Sequence, residues 1–150
     1  MKGRITKGVG GLYTVHDGEG FYNCKARGVF RKDGITPLVG DIVTFESDGA
    51  DRYIVTEISE RKNNLVRPAV ANIDTLFIIV SSTDPLPNTF IIDKTIAIAE
   101  FKNIEPVLVI TKTDLADFSD IIDIYSSTGI RIIITNIINN DGISDIIEIM

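Results

Sequence analysis

Apolar and polar positions follow two different periods along the chain. The first part consists of short extended stretches separated by turn residues. Residues 4–9 and 12–16 flank Gly10-Gly11, Asp17-Gly18-Glu19-Gly20 forms a turn cluster, and residues 21–27 resume the extended pattern. Asp33-Gly34 and Pro37 mark a loop before residues 41–46, and the turn at 47–51 leads into 53–58. There Tyr53, Val55 and Glu57 alternate with Ile54, Thr56 and Ile58. β-Branched and aromatic residues at this period, punctuated by glycine, predict four or five short strands. Within about 70 residues, a five-stranded OB-type β barrel is the economical arrangement, because closure removes exposed edges. An SH3-like barrel has the same periodicity and remains the alternative.

The period changes near Pro68. Three nearly continuous apolar runs, 73–80 (IDTLFIIV), 106–110 (PVLVI) and 131–135 (RIIIT), read as strands of a parallel sheet buried on both faces. Helical spacing fills the intervals. Ile92, Ile96 and Ala99 recur before Lys102-Asn103, and Phe118, Ile121, Ile122 and Tyr125 follow Asp117. Ile143, Ile146, Ile147 and Met150 follow Asp141-Gly142. Alternating strands and helices predict an α/β layer arrangement with right-handed crossovers. Three strands are fewer than a nucleotide-binding sheet normally has, and no capping Gly or Asn follows the last helical position. The expectation is a complete unit over 1–68 and a partial three-layer α/β unit over 69–150.

Composition and charge sharpen that division. The 150 residues are 44% hydrophobic and 24% charged, the balance of an ordinary folded protein. The net charge of −6 is unevenly spread: residues 1–68 carry 11 Lys and Arg against 9 Asp and Glu, and residues 69–150 carry 4 against 12. Such asymmetry suggests two units with different partners. A single cysteine excludes an internal disulfide framework and a cysteine-built zinc site within these residues. No apolar stretch reaches the roughly 18 residues of a membrane span, and the start lacks a secretory core, so a cytoplasmic location with no membrane partner is expected.

The sharpest chemical signal is Thr111-Lys112-Thr113-Asp114, directly after PVLVI and before a helical pattern. Ligands of open α/β sheets bind at the carboxyl ends of strands, where this segment falls. It is a variant of the Asn/Thr–Lys–x–Asp motif that reads guanine. Guanine presents a ring N–H and an exocyclic amine side by side, and one carboxylate, here Asp114, accepts from both. Adenine lacks that pair of donors, and a site built for them rejects it strongly. Lys112 lays its alkyl stem along the base, leaving its ammonium to reach a ribose or a loop carbonyl. The competing reading has Asp114 capping a helix that starts near Leu115, with Lys112 solvated. No G-x-x-x-x-G-K-[ST] phosphate cradle occurs in the chain, so self-contained GTP hydrolysis is not expected of it. Ser81, Ser82 and Thr83 follow the first buried run at the ligand-binding edge, and read as a polar loop.

A second constellation, Arg61-Lys62-Asn63-Asn64-Leu65-Val66-Arg67-Pro68, lies at the junction and suits a phosphate-contacting linker. The barrel adds Arg27 and Arg31 among seven cationic residues interleaved with Tyr13, Phe21, Tyr22 and Phe30, a composition suited to single-stranded or looped RNA. Core packing is the competing role for the aromatics, and a solvated hinge for the linker. His16 reads as a turn residue and Cys24 as a small buried hydrophobe. No catalytic or metal-ligating residue is assigned.

The order of these segments closely resembles the N-terminal half of the ribosome-small-subunit-dependent GTPases, the RsgA/YjeQ family. GVFRKDGITPLVGDIVTFE and RKNNLVRPAVANID look like that family's barrel and linker, followed by NIDTLFIIVSS and PVLVITKTDL. The resemblance implies an OB barrel and a circularly permuted GTPase domain, in which the guanine-reading motif precedes the phosphate-binding loop. It implies a role in late maturation of the small (30S) ribosomal subunit, with the barrel on 16S rRNA. In the full-length family GTP or GDP binds with Mg, and a Zn site belongs to a C-terminal domain. By position Thr111, Lys112 and Asp114 match the guanine motif, while Thr135 and Asn136 stand, less closely, where a second loop meets the base. Arg61, Lys62, Arg67, Arg27 and Arg31 are the expected RNA contacts. The alternative function is a non-enzymatic RNA-binding module with a vestigial nucleotide domain.

Overall fold

The computed structural model describes residues 1–28, 30, 34–49 and 52–150, so Arg31 lies outside the described residues. The chain divides into two compact units, Met1–Ile73 and Asp74–Met150.

In the first unit five strands close into a barrel: β1 (Lys2–Val9), β2 (Leu12–His16), β3 (Phe21–Ala26), β4 (Ile42–Ser47) and β5 (Tyr53–Ile58). Their order is β1-β2-β3-β5-β4, closed by antiparallel pairing of β1 with β4. The parallel β3–β5 pair completes the five-stranded OB-type barrel expected from the sequence. Gly10 and Gly11 adopt φ of 59° and 83° in the two-residue β1–β2 turn, which needs left-handed backbone at both positions. Asp17 organises the next turn by accepting from the Glu19 and Gly20 N–H groups at 2.9 Å each. Those backbone bonds hold its carboxyl below the usual aspartate range. Alternate side chains point inward, so Ile5, Val15, Cys24, Val43, Phe45 and Val55 form a core that excludes solvent entirely. Burial pushes the Cys24 thiol up to about 11.

The basic segment after β5 folds onto this unit as a hairpin of β6 (Asn64–Leu65) and β7 (Val70–Ala71). Buried Asn63 clamps its base: the side-chain amide donates to Ile73 O and its oxygen accepts from Ile73 N, both at 2.8 Å. This places residues 69–73, beyond the division anticipated at Pro68, in the first unit.

The second unit holds three parallel strands, β8 (Thr75–Ser81), β9 (Glu105–Thr111) and β10 (Arg131–Ile134), in the order β10-β9-β8. Three helices connect or follow them: α1 (Thr89–Phe101), α2 (Ser119–Ser126) and α3 (Ile143–Ile149). One face of the sheet packs Ile78, Leu108 and Ile110 against Ile92 of α1 and Tyr125 of α2. The other packs Val107, Val109 and Ile133 against Ile146 and Ile149 of α3, making three layers. α1 and α2 use the apolar positions expected of them.

Two sequence expectations change in this unit. The packed face of α3 is Ile146 and Ile149; of the four positions expected on it only Ile146 packs, and Ile143, Ile147 and Met150 are exposed. Gly142, at φ 74°, sets the start of α3 against the Ile134 carbonyl, leaving no room for a Cβ, so the helix is pinned to the end of β10 at its first turn. Of the three apolar runs, only β9 is buried on both faces; Ile79 of β8 is 68% exposed and Ile134 of β10 is 40% exposed. β9 has a strand on either side, and the other two have one each. Among the described residues no helix is long and apolar enough to cross a membrane.

Candidate functional site

The carboxyl ends of the parallel strands open onto a cavity of about 550 Å³. Thr111, Lys112, Asp114, Thr135 and Asn136 all line it, with apolar walls from Ile79, Val109, Leu115 and Ile146. The polar rim and apolar wall suit a flat heterocycle with hydrogen-bonding edges.

The residues of the rim do different things. Asp114 is exposed, and among the described residues no protein group donates to its carboxylate. It does not cap a helix, because α2 begins only at Ser119. Asp117, one residue before the N-cap Phe118, binds the start of that helix: its carboxylate accepts from the Ser119 N–H and hydroxyl, each at 3.0 Å, and these bonds lower its pKa. Lys112 sits at φ 58°, a left-handed conformation uncommon for a side chain of its size. Its ammonium donates to the Asp84 carbonyl at 2.6 Å, the loop-carbonyl contact anticipated for it.

Thr111 faces the scaffold. Its hydroxyl donates to Val80 O of β8 at 3.1 Å. Thr113, the variable position of the motif, donates to Thr135 O at 3.1 Å, and Thr135 donates to Ile110 O from its N–H at 2.8 Å and its hydroxyl at 3.2 Å. The two loops at the cavity rim are thus tied to each other and to β9. The Asn136 side-chain oxygen accepts from Ile138 N at 2.9 Å, within its own loop. Sequence reasoning passed over Thr113 and the apolar wall. Thr113 carries no pattern signal, and Ile79 and Ile146 are apolar like their many neighbours.

The expected RNA-contacting residues lie in the first unit. Arg61 is committed to the fold: its guanidinium grips fully buried Asp41 through two bonds of 2.7 Å and donates to Thr36 O at 2.7 Å. Asp41 also accepts from Leu38 N at 2.8 Å. The bond to Asp41 raises the Arg61 pKa. Lys62 and Arg67 are exposed, on the hairpin segment. Arg27 follows β3, pairs with Glu46 at 3.1 Å with both side chains more than half exposed, and lines a cavity of about 710 Å³ with Lys25, Tyr13 and Phe30.

A sequence model of the RsgA N-terminal domain matches residues 2–54, and one of the RsgA GTPase matches residues 58–150. The chain belongs to the RsgA GTPase family. A relative from Caldanaerobacter subterraneus subsp. tengcongensis, named small ribosomal subunit biogenesis GTPase RsgA, is 38% identical over 97% of this chain and 50% of its own length. The Oceanobacillus iheyensis protein named small ribosomal subunit biogenesis GTPase RsgA 2 is 39% identical over 93% of this chain and 50% of its own. The crystal structure of YjeQ from Thermotoga maritima superposes with a TM-score of 0.83 at 32% identity, covering 99% of this chain and 56% of that one. YloQ, described as a circularly permuted GTPase, gives 0.81 at 32% identity with the same coverage. The chain spans about half the length of the RsgA relatives it matches. Its barrel and parallel sheet are therefore the barrel and part of the permuted GTPase fold of that family.

Proposed function

We propose that this chain is the guanine-reading part of a GTPase that acts in late maturation of the small (30S) ribosomal subunit, with the barrel docking on 16S rRNA in the cytoplasm. The observation that carries the reading is a carboxylate, Asp114, with no protein partner among the described residues, on the rim of a cavity at the carboxyl ends of parallel strands. Asp114 accepts the guanine ring N–H and exocyclic amine together, a charge-assisted fork. The stem of Lys112 lies along one face of the base, and Thr135 and Asn136 border its edge. Thr111 braces the loop from behind. Adenine leaves Asp114 facing an acceptor, so the site refuses it.

The chain contains no G-x-x-x-x-G-K-[ST] segment, so this reading assigns hydrolysis to residues outside these 150 and expects no turnover from the chain alone. Magnesium bound with the nucleotide in the full-length protein would supply charge neutralisation at the phosphates. Among the described residues no group of three or more His, Cys, Asp or Glu is placed to hold a metal ion, and this reading names no side chain here as a ligand for magnesium or zinc.

Two experiments test the reading. Titration of the chain with guanosine and xanthosine monophosphates, followed by amide chemical shifts, should show a preference for guanosine. Asp114→Asn should reverse it, since Asn presents a donor where xanthine has gained an acceptor; an unchanged preference refutes the assignment. For the barrel, replacing Arg27, Lys62 and Arg67 with Ala should weaken binding to small subunits and reduce its salt dependence by about one logarithmic slope unit per lost phosphate contact. Arg61 is left intact because its loss disturbs the barrel itself. Unaltered affinity and slope reject those three side chains as RNA contacts.

A further inference from the structure

Ser82 has no place in the guanine motif, yet three bonds tie its segment to that loop. Its hydroxyl donates to Lys112 O at 2.6 Å, its N–H donates to Thr111 O at 2.9 Å, and two residues on, Asp84 O accepts the Lys112 ammonium at 2.6 Å. Ser82 is only 6% exposed. The Lys112 carbonyl it holds belongs to the residue at φ 58°, and also accepts from Leu115 N at 3.0 Å, closing the turn that carries Asp114. A left-handed lysine is costly, and such a conformation persists only where neighbours fix it.

We propose that Ser82 is a positioning residue for guanine recognition: by holding the Lys112 carbonyl it fixes the left-handed turn that aims Asp114 into the cavity. The inference rests on the guanine reading of this site. The geometry is specific in three respects. The bond is short and shielded from water, so no solvent molecule replaces it without rearrangement. It is made to backbone, so it constrains the path of the loop whatever the neighbouring side chains do. It also couples the end of β8 to the end of β9, where the side chain of Thr111 already donates to Val80 O. The polar loop after β8 thus becomes the third support of the base site, beside the Thr113–Thr135 link. A small displacement of Asp114 matters greatly, because a forked hydrogen bond needs both oxygens in register with both donors.

The test uses the 150-residue chain and three probes: guanosine, inosine and adenosine monophosphates. Inosine keeps the ring N–H and lacks the exocyclic amine, so the ratio of guanosine to inosine affinity reads the fork directly. Ser82→Ala should weaken guanosine monophosphate binding about tenfold and bring that ratio close to one. Ser82→Thr, which keeps the hydroxyl, should restore both. A residue that merely stabilised the fold would lower the melting temperature and leave the ratio intact. Should Ser82→Ala not fold, Ser82→Cys, similar in size and a weak donor, carries the same measurement. Asp114→Ala is the reference. If it abolishes the preference while folded Ser82→Ala keeps wild-type affinity and ratio, the positioning role is wrong and the guanine reading stands. If the wild-type chain does not distinguish guanosine from adenosine monophosphate, the guanine reading fails, and the role of Ser82 with it.

Discussion

The two units treat equally apolar strands in opposite ways. In the barrel every strand has two neighbours, and the inward residues Ile5, Val15, Val43, Phe45 and Val55 are all at 0% exposure. In the parallel sheet β9 alone has two, and only there are five consecutive residues, Pro106 to Ile110, removed from water. Ile79 in the flanking strand is as apolar as Val109 and remains 68% exposed. Burial is thus set by the number of covering neighbours, and hydropathy states only which residues benefit from having them. Carboxylates show the same contrast. Asp41 is enclosed and answered by Arg61 and Leu38 N, so it serves the fold. Asp114 stands on a cavity rim with no answering donor among the described residues, so it is available to a ligand.

The largest expected effect breaks the enclosed pair. Arg61→Ala leaves Asp41 charged and buried, and should cost the barrel about 3 kcal/mol or more. Urea unfolding should show the barrel transition shifted; a shift below about 1 kcal/mol means that water reaches Asp41. Next comes the central strand, where Leu108→Ala should destabilise the α/β unit by about 2–5 kcal/mol through lost burial and the cavity left behind. Differential scanning calorimetry reads that loss. Smaller still is the effect of alkali. The folded Cys24 thiol is pushed up to about 11 from the ordinary 9.0, so the folded barrel keeps this proton after the unfolded chain has released it. Its contribution is fully present below about pH 9 and is lost as pH rises towards 11. Stability of the wild type should therefore fall more steeply across that window than that of Cys24→Ala, and parallel slopes refute the assignment. The smallest effect is Ile79→Ala at the exposed edge strand, expected within about 0.5 kcal/mol. Comparable losses for Ile79 and Leu108 would dissolve the contrast between the strands.

Much of the candidate site was legible because it is contiguous. Thr111 to Asp114 follow a recognisable strand, and their types state their chemistry. Thr135 and Asn136, after the third apolar run, were named only through the family resemblance. Arg61 was not legible in the same way. Its sequence neighbours are cationic and amide residues, whereas the group that claims it, Asp41, is twenty positions away. Ser82 read as a polar loop for a similar reason, since its partner is thirty residues on.

By itself the sequence determined the two periods, the strand and helix types, the closed barrel followed by a parallel sheet, and the loop that carries Asp114. Those properties depend on local spacing and backbone preference, which a linear pattern records directly. Tertiary structure alone decided that Arg61 is held by Asp41, that α3 packs through Ile146 and Ile149, that β8 and β10 keep an exposed side, and that Ser82 supports Lys112. Each depends on which distant groups arrive within about 3 Å or cover a given face, and hydrogen bonding and burial are set by that proximity rather than by order along the chain.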